Sequence, residues 1–352
     1  MSEAVKTKLV GIETGRGIAA MLVVLYHTGR HFGKVYGPSW LSDLFQFGHA
    51  GVDFFFVISG FIILYTHDKD VGRPARLGHY LQRRFTRIMP TYWVALLVTV
   101  ALSVAGGHAL PAPFPAFWST FLLPSFDEPL LGVAWTLQHE IVFYAFFALL
   151  ILNRAGVAFL ALWFFWIMLT TVGVLDSSLV PSTFTGAFNL EFFAGMAAAY
   201  WVKHRATPNP RSILAIGVLL FALAALAENA GWLDGYASIG RLAYGLPSAL
   251  IVLAAAAVDR QAPIAFPKPL RVLGAASYSV YLFQFVFIGI LWKIWLAAGL
   301  DRLLPQTAGF CLLAAGGIAG GVLASRLVEY PLMRLIRGER RPIGKAATEA
   351  AE

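Results

Sequence analysis

Four groups of ionisable residues stand where an apolar chain should carry none. In GIETGRGIAAMLVVLYHTGR, Arg16 and His27 lie eleven residues apart. Eleven helical steps come to about 20° past three full turns, so both side chains share one face, about 16 Å apart along the axis. An imidazole titrates near neutral pH and can take a proton from a hydroxyl. A plainer arrangement has Arg16 snorkelling to headgroups and His27 at the far interface; the shared face favours the first. In GVDFFFVISGFIILY, Asp53 is a lone carboxylate among aromatics. It either caps its helix at the interface or orients His27 from a neighbouring helix. Ser59 and Gly60 are a candidate nucleophile or, more simply, a small pair that permits a kink or close packing. In AWTLQHEIVFY, Trp135, His139 and Glu140 cluster, with Glu140 and Tyr144 at i,i+4 spacing on one face. A buried Glu needs a hydrogen-bonding or cationic partner, so it belongs either to a packing ion pair or to a site. In RLGHYLQRRFTRIMPTYW, Arg83, Arg84 and Arg87 precede a proline. Arginines beside a membrane hold a loop inside or touch anionic lipid. They also suit bidentate phosphate binding, which a phosphate-bearing donor requires. Glu191 reads as a pore group or a packing partner, and His31, His49, His67, His79, His108 and His204 read as solvated loop residues.

The elements that must position these groups are membrane spans. The chain has 352 residues, 58% of them hydrophobic and 13% charged, with a mean hydropathy of +0.69. Soluble domains carry roughly 25% charged residues, so a soluble enzyme and a disordered chain are both excluded. Stretches of about 20 apolar residues can cross a bilayer. Candidates fall at 10–29, 48–66, 91–107, 133–152, 156–175, 184–202, 212–229, 241–258, 274–297 and 307–327. No strand-type alternation recurs, so a β-barrel is not expected. The expected fold is an all-α integral membrane protein of about ten helices, with a transmembrane domain over 1–335 and a short polar tail over 336–352. With the N-terminus cytoplasmic, 22 of the 27 Lys and Arg residues fall on the cytoplasmic side and five on the other. That asymmetry predicts both termini in the cytoplasm and explains the net charge of +8 without nucleic acid. Lys6 and Lys8 precede an apolar run that lacks a small-residue cleavage site, which reads as a retained first helix. The single cysteine, Cys311, excludes a disulfide scaffold and any multi-cysteine metal site. GxxxxGK[ST], HExxH and CxxC are absent, so neither a P-loop nor a familiar zinc site is expected. Ionisable groups within spans cost at least ~2.5–3.5 kcal/mol at mid-bilayer and mark functional sites by default. On composition alone an enzyme and a transporter or flippase fit equally well; no inverted repeat favours transport.

Six motifs occur in order: RGIAAMLVVLYH at 16–27, GVDFFFVISGFII at 51–63, RRFTRIMPTYW at 83–93, WTLQHEIVFY at 135–144, ASYSVYLFQ at 276–284 and VEYPLMRL at 328–335. Together they resemble the membrane acyltransferase-3 family, which includes bacterial exopolysaccharide and O-antigen O-acetyltransferases. The resemblance implies transfer of an acyl group, most often acetyl, from cytoplasmic acyl-CoA to a hydroxyl of a polysaccharide or lipid-linked glycan at the bacterial inner membrane. It implies no bound cofactor or metal. His27 is similar to the family's essential histidine and Arg16 to its motif partner. Arg84 and Arg87, with Arg83 beside them, resemble its RxxR element for the donor. Glu140 with Trp135 resembles its W-S/T-L-x-x-E element. Two departures stand out. Gln284 occupies a position where many members carry His, and only 25 residues (328–352) follow the last predicted span. That is too few for the fused SGNH-type hydrolase domain of some members, so transfer is expected to finish alone or with a separate partner.

The expected scheme has donor phosphates at Arg83, Arg84 and Arg87. A pantetheine arm passes Arg16 in a cavity lined by helices 1, 2, 4 and 9, with Trp135, Tyr144, Ser277 and Tyr278 on its walls. The thioester then lies near His27, which acts either as general base or as covalent acyl carrier. Asp53 or Glu140 is expected to hold the imidazole as a carboxylate does in a triad.

Overall fold

The computed structural model describes residues 9–37, 39–262 and 264–338; Lys6, Lys8 and most of the 336–352 tail lie outside the described residues. Among the described residues every regular element is helical, and ten helices reach sixteen residues or more, one at each expected segment. We number them α1 (Val10–Tyr36), α2 (Gly51–His67), α3 (Leu77–Ala105), α4 (Trp135–Leu152), α5 (Gly156–Thr171), α6 (Phe188–His204), α7 (Pro210–Asn229), α8 (Ser238–Gln261), α9 (Lys268–Ala297) and α10 (Gln306–Ala324). Helix α10 runs through a π-helical turn, Ser325–Glu329, into α11 (Tyr330–Arg337). Among the described residues seven segments are long and apolar enough to cross a membrane. Helices α5 and α6 are short at 16 and 17 residues, and α1 carries Glu13, Arg16, Arg30 and Lys34. This is an integral membrane helical protein.

Helix α1 packs against α2, α8, α9 and α10 and so stands at the centre of the bundle. Its neighbours reach it through small residues. A Cβ on Gly17 would lie 2.7 Å from the Gly274 backbone nitrogen, so α1 and α9 cross backbone to backbone. The α2–α6 crossing is tighter still. A Cβ on Gly60 would lie 2.0 Å from the Phe192 carbonyl oxygen, and one on Gly195 1.9 Å from that of Val57. Small residues let helices approach closely where lipid supplies no hydrophobic drive for association. Gly60 therefore serves packing, the simpler of the two roles expected for the Ser59-Gly60 pair. Aromatic rings fill the rest: Phe143 stacks on Phe192 with centroids 4.3 Å apart, joining α4 to α6.

One expected boundary is wrong in a way that matters. The expected span 91–107 leaves Arg83, Arg84 and Arg87 in the segment ahead of it. Helix α3 begins at Leu77, so Arg83, Arg84 and Arg87 are helical residues. Pro90 sits inside that helix and is buried. It lacks the N–H that would pair with the Thr86 carbonyl one turn back, and Thr86 lines the cavity described next.

Candidate active site

A cavity of about 800 Å³ opens between α1, α2, α3, α4, α9 and α11. Its lining includes Arg16, Arg83, Arg84, Arg87, Glu140, Tyr144, Ser277 and Tyr278, eight of the residues selected from sequence, together with Ser59, Thr136, Tyr281 and Arg337. His27, Asp53 and Trp135 are not on its wall.

The basic end is built on α3. Positions 83, 84 and 87 fall on neighbouring rows of one helix face. Arg84 Nη2 lies 3.4 Å from His67 Nε2, and His67 Nδ1 lies 2.8 Å from Asp70 Oδ2. The Arg84 guanidinium also stands 5.6 Å above the Tyr144 ring, while its buried Nε has no hydrogen-bond acceptor among the described residues. Arg87 donates to Glu329 Oε1 at 3.2 Å and rests 5.3 Å from the centre of the Tyr278 ring. Glu329 is 6% exposed and also accepts from Ser279 Oγ (2.6 Å) and Ser325 Oγ (3.1 Å). It belongs to the π turn that follows α10. Such turns widen a helix by one residue and recur at functional sites.

Further in, Glu140 Oε1 accepts from Ser59 Oγ at 2.9 Å and from the Tyr144 hydroxyl. The i,i+4 pairing expected from sequence is thus made, and two hydroxyls rather than an ion pair satisfy the carboxylate. The electrostatic neighbours of Arg16 are Arg87, Glu329, Glu140 and Tyr144. Alternating charges therefore line the shaft: cations at the mouth, then carboxylates and the Arg16 guanidinium.

The inner end is closed. The Tyr281 hydroxyl lies 3.0 Å from Thr136 Oγ1 and 3.1 Å from the Val133 carbonyl, and Phe55 packs edge-on against its ring at 5.7 Å. One turn further along α9, Phe285 meets the His27 ring with centroids 4.6 Å apart. Four residues of helix span about 6 Å, so the cavity stops about one turn short of His27. Tyr26 is the other aromatic neighbour of that imidazole, at 4.9 Å.

Asp53 does not take the position expected for it. Its Oδ2 accepts from Arg241 Nη1 at 3.0 Å, and both residues are buried. The helix that holds Asp53 does pack against α1, but the cation on α8 takes the carboxylate, so no Asp53–His27 relay forms. Arg241 Nη1 also reaches His49 Nδ1 (3.2 Å), and His49 Nε2 reaches Glu228 Oε1 (2.8 Å). Glu228 accepts from the Tyr244 hydroxyl at 2.5 Å. The Tyr236 ring stacks on His49 at 4.5 Å, and its hydroxyl bonds that of Tyr26, which Arg30 also contacts. Glu191, 2% exposed, belongs to the same buried group as a direct neighbour of Asp53. It is a packing partner rather than a pore group. His49 and His67, expected to be solvated, are 5% and 1% exposed. Trp135 also differs from expectation: its ring packs on Phe56, Phe188 and His139 behind the cavity wall.

Sequence reasoning missed Glu329, Arg241, His49 and Glu228 as interior groups. All four sit at ends of predicted spans, where a charged residue reads as an interfacial anchor. Their ion-pair partners are 179 to 242 positions away in the chain, a distance no local pattern reports.

Among the described residues the chain is a helical membrane bundle that holds a polar cavity with three arginines at one end. The profile of the Acyltransferase domain family (acyltransferase-3) matches residues 9–326, and the chain belongs to that family. It is therefore a membrane acyltransferase. It is 34% identical to the exopolysaccharide production protein ExoZ of Rhizobium meliloti, over 87% of this chain and 96% of the relative. Nodulation protein 10 of Rhizobium leguminosarum bv. viciae is 26% identical over 91% of this chain and 92% of its own. The peptidoglycan O-acetyltransferase OatA of Listeria monocytogenes is 24% identical over 91% of this chain and 55% of the relative. No solved structure matches the chain significantly.

Proposed function

We propose that the protein moves an acyl group, acetyl in the first instance, from acyl-CoA to a hydroxyl of a polysaccharide or lipid-linked glycan on the outer side of the bacterial inner membrane. The reading adopts ten spans with both termini cytoplasmic, which puts Arg83, Arg84 and Arg87 on the side where acyl-CoA is made. The relatives named for exopolysaccharide production and peptidoglycan O-acetylation support a glycan acceptor.

One observation carries the reading: a single shaft leads from three arginines past Arg16 and Glu140 to within about one helical turn of the Phe285–His27 contact. Arg83, Arg84 and Arg87 hold the donor's phosphates. Tyr278 and Glu329 fix Arg87, and Tyr144 backs Arg84. The Glu140 carboxylate and the Arg16 guanidinium flank the arm that carries the thioester. For the carbonyl to meet His27, Phe285 and Tyr281 must shift aside. His27 then takes the acceptor hydroxyl's proton as its oxygen bonds to the acyl carbon. The carbon–sulfur bond breaks, and the thiolate recovers a proton from the imidazolium. In a covalent route the His27 nitrogen itself bonds the acyl carbon as the thiolate leaves; the acceptor oxygen then displaces the imidazole, and its proton passes to the thiolate. A thioester is already activated, so base catalysis and positioning suffice.

The test is proton NMR of O-acyl esters on the host's surface glycans, before and after mild alkali. A deletion strain is complemented with wild type or His27→Ala at matched membrane levels. Esters restored by wild type alone support the reading. Esters restored by both exclude His27 as the reacting group. If deletion changes no ester, the acceptor is a small secreted metabolite rather than a surface glycan.

A further inference from the structure

A second basin, of about 390 Å³, lies where the C-terminal ends of α6 and α8 meet the turn into α7. Lys203, His204, Arg205 and Arg260 line it, and no acidic residue does. The donor cavity does not include it. Both nevertheless open at the same end of the bundle. Lys203 Nζ lies 2.6 Å from Asp68 and 2.7 Å from the Tyr65 carbonyl, and the adjoining His67 contacts Arg84.

The basin is braced rather than floppy. Lys203 is held from α2. Arg260 donates to the Val202 carbonyl at the end of α6, a position where a cation also meets the negative pole of the helix. Gln261 Nε2 donates to the Thr207 carbonyl at 3.1 Å and closes the far wall. The His204 ring meets that of Tyr200 at 4.6 Å, tilted by 42°. Among the described residues the Arg205 guanidinium makes no hydrogen bond, and Arg205 is exposed. The result is a concave cationic surface with one uncommitted guanidinium at its rim. Retaining a loop on one side of the membrane needs positive charge but no cavity.

The flanking residues indicate where the ligand comes from. Tyr200 and Trp201 are 57% and 48% exposed, within about one turn of Lys203 and Arg205. Exposed Tyr and Trp mark the headgroup level of a bilayer, and basic pockets between helices at that level bind anionic headgroups. We infer that the basin binds a phosphate ester, presented by an anionic phospholipid whose headgroup sits beside Tyr200 and Trp201. The inference is independent of the acyl-transfer reading.

The test uses the full-length protein purified in detergent and exchanged with phosphatidylglycerol, with phosphatidylcholine as the zwitterionic control. Native mass spectrometry reads lipid retention. Wild type is expected to retain phosphatidylglycerol in preference to phosphatidylcholine. Arg205→Gln should weaken that retention about fivefold. Arg260→Gln should weaken it similarly, and Arg205→Gln keeps the test decisive if loss of the Val202 bond unfolds the Arg260 variant. Equal retention by wild type and Arg205→Gln overturns the inference, as does equal retention of the two lipids. Displacement of phosphatidylglycerol by inorganic phosphate in wild type but not in Arg205→Gln assigns the basin to soluble phosphate and overturns the headgroup.

Discussion

Arg87 and Glu329, 242 positions apart in the chain, meet at 3.2 Å where the last long helix widens into a π turn. The turn rotates Glu329 towards α9 and α3, so that one carboxylate binds Arg87, Ser279 and Ser325 together. Arg87 is about one-third exposed in this pair, so solvent screens the attraction. The main consequence is geometric: the guanidinium is held facing the cavity.

Glu329→Gln should therefore act through Arg87. It keeps the shape and removes the charge. The apparent KM for acyl-CoA should rise about three- to tenfold, the size of one ordinary hydrogen bond in a pair that solvent screens, with kcat close to wild type. A fall in kcat at unchanged KM would contradict a positioning role at the donor end.

Arg84→Ala combined with Arg87→Ala should raise the KM for acyl-CoA more than it slows the acceptor step. The measurement is the dependence of rate on donor concentration in membranes containing equal amounts of protein. Unchanged donor dependence would leave these arginines with a topological role only.

His27→Ala should lower the transfer rate by about two to four orders of magnitude, the range for a lost general base. The variant protein should remain inserted and fold normally, because His27 contacts only Tyr26 and Phe285 among aromatic rings. Membrane level and thermal unfolding check the second half of this expectation.

The Asp53–Arg241 pair should be structural. Asp53→Asn or Arg241→Met alone leaves a buried charge without its partner and should cost about 3–5 kcal/mol. Asp53→Leu with Arg241→Met removes both charges and should unfold at a higher temperature than Arg241→Met alone. A double variant no more stable than the single one would mean that His49, Glu191 and Glu228 need Arg241 for themselves.

Gly60→Val should abolish the α2–α6 contact, since even a bare Cβ would lie 2.0 Å from a carbonyl oxygen. The expected outcome is loss of folded protein from the membrane fraction. Ser59→Ala, one residue earlier, should leave folding intact and remove one of the two hydroxyls on Glu140.

Much of this arrangement was legible in the sequence because a bilayer simplifies the code. Apolar runs of fixed length announce helices, so each of the ten expected segments contains a long one. Arg16, Glu140 and Tyr144 stood out because a charge or a polar pair inside such a run has no other reason to be there. The start of α3 did not stand out. Its first three turns are polar, and a polar helix beside a membrane has the composition of a loop. Asp53 was visible as unusual, but its partner Arg241 sat at a predicted span end and looked like an anchor. The chemistry of a residue can be read locally; the partner that consumes its hydrogen bond cannot.

The closed inner end of the shaft has an electrical meaning. A bacterial membrane holds a voltage, and one charge crossing it is worth about 2.3 kcal/mol per 100 mV. On the proposed topology, a water-filled passage from Arg83 to His27 would conduct protons and drain that voltage continuously. Tyr281, held between Thr136 and the Val133 carbonyl, and Phe285 beyond it form an insulator about one turn thick. In the proposed reaction, transfer resembles an airlock: the acyl group can be handed across while the circuit stays open.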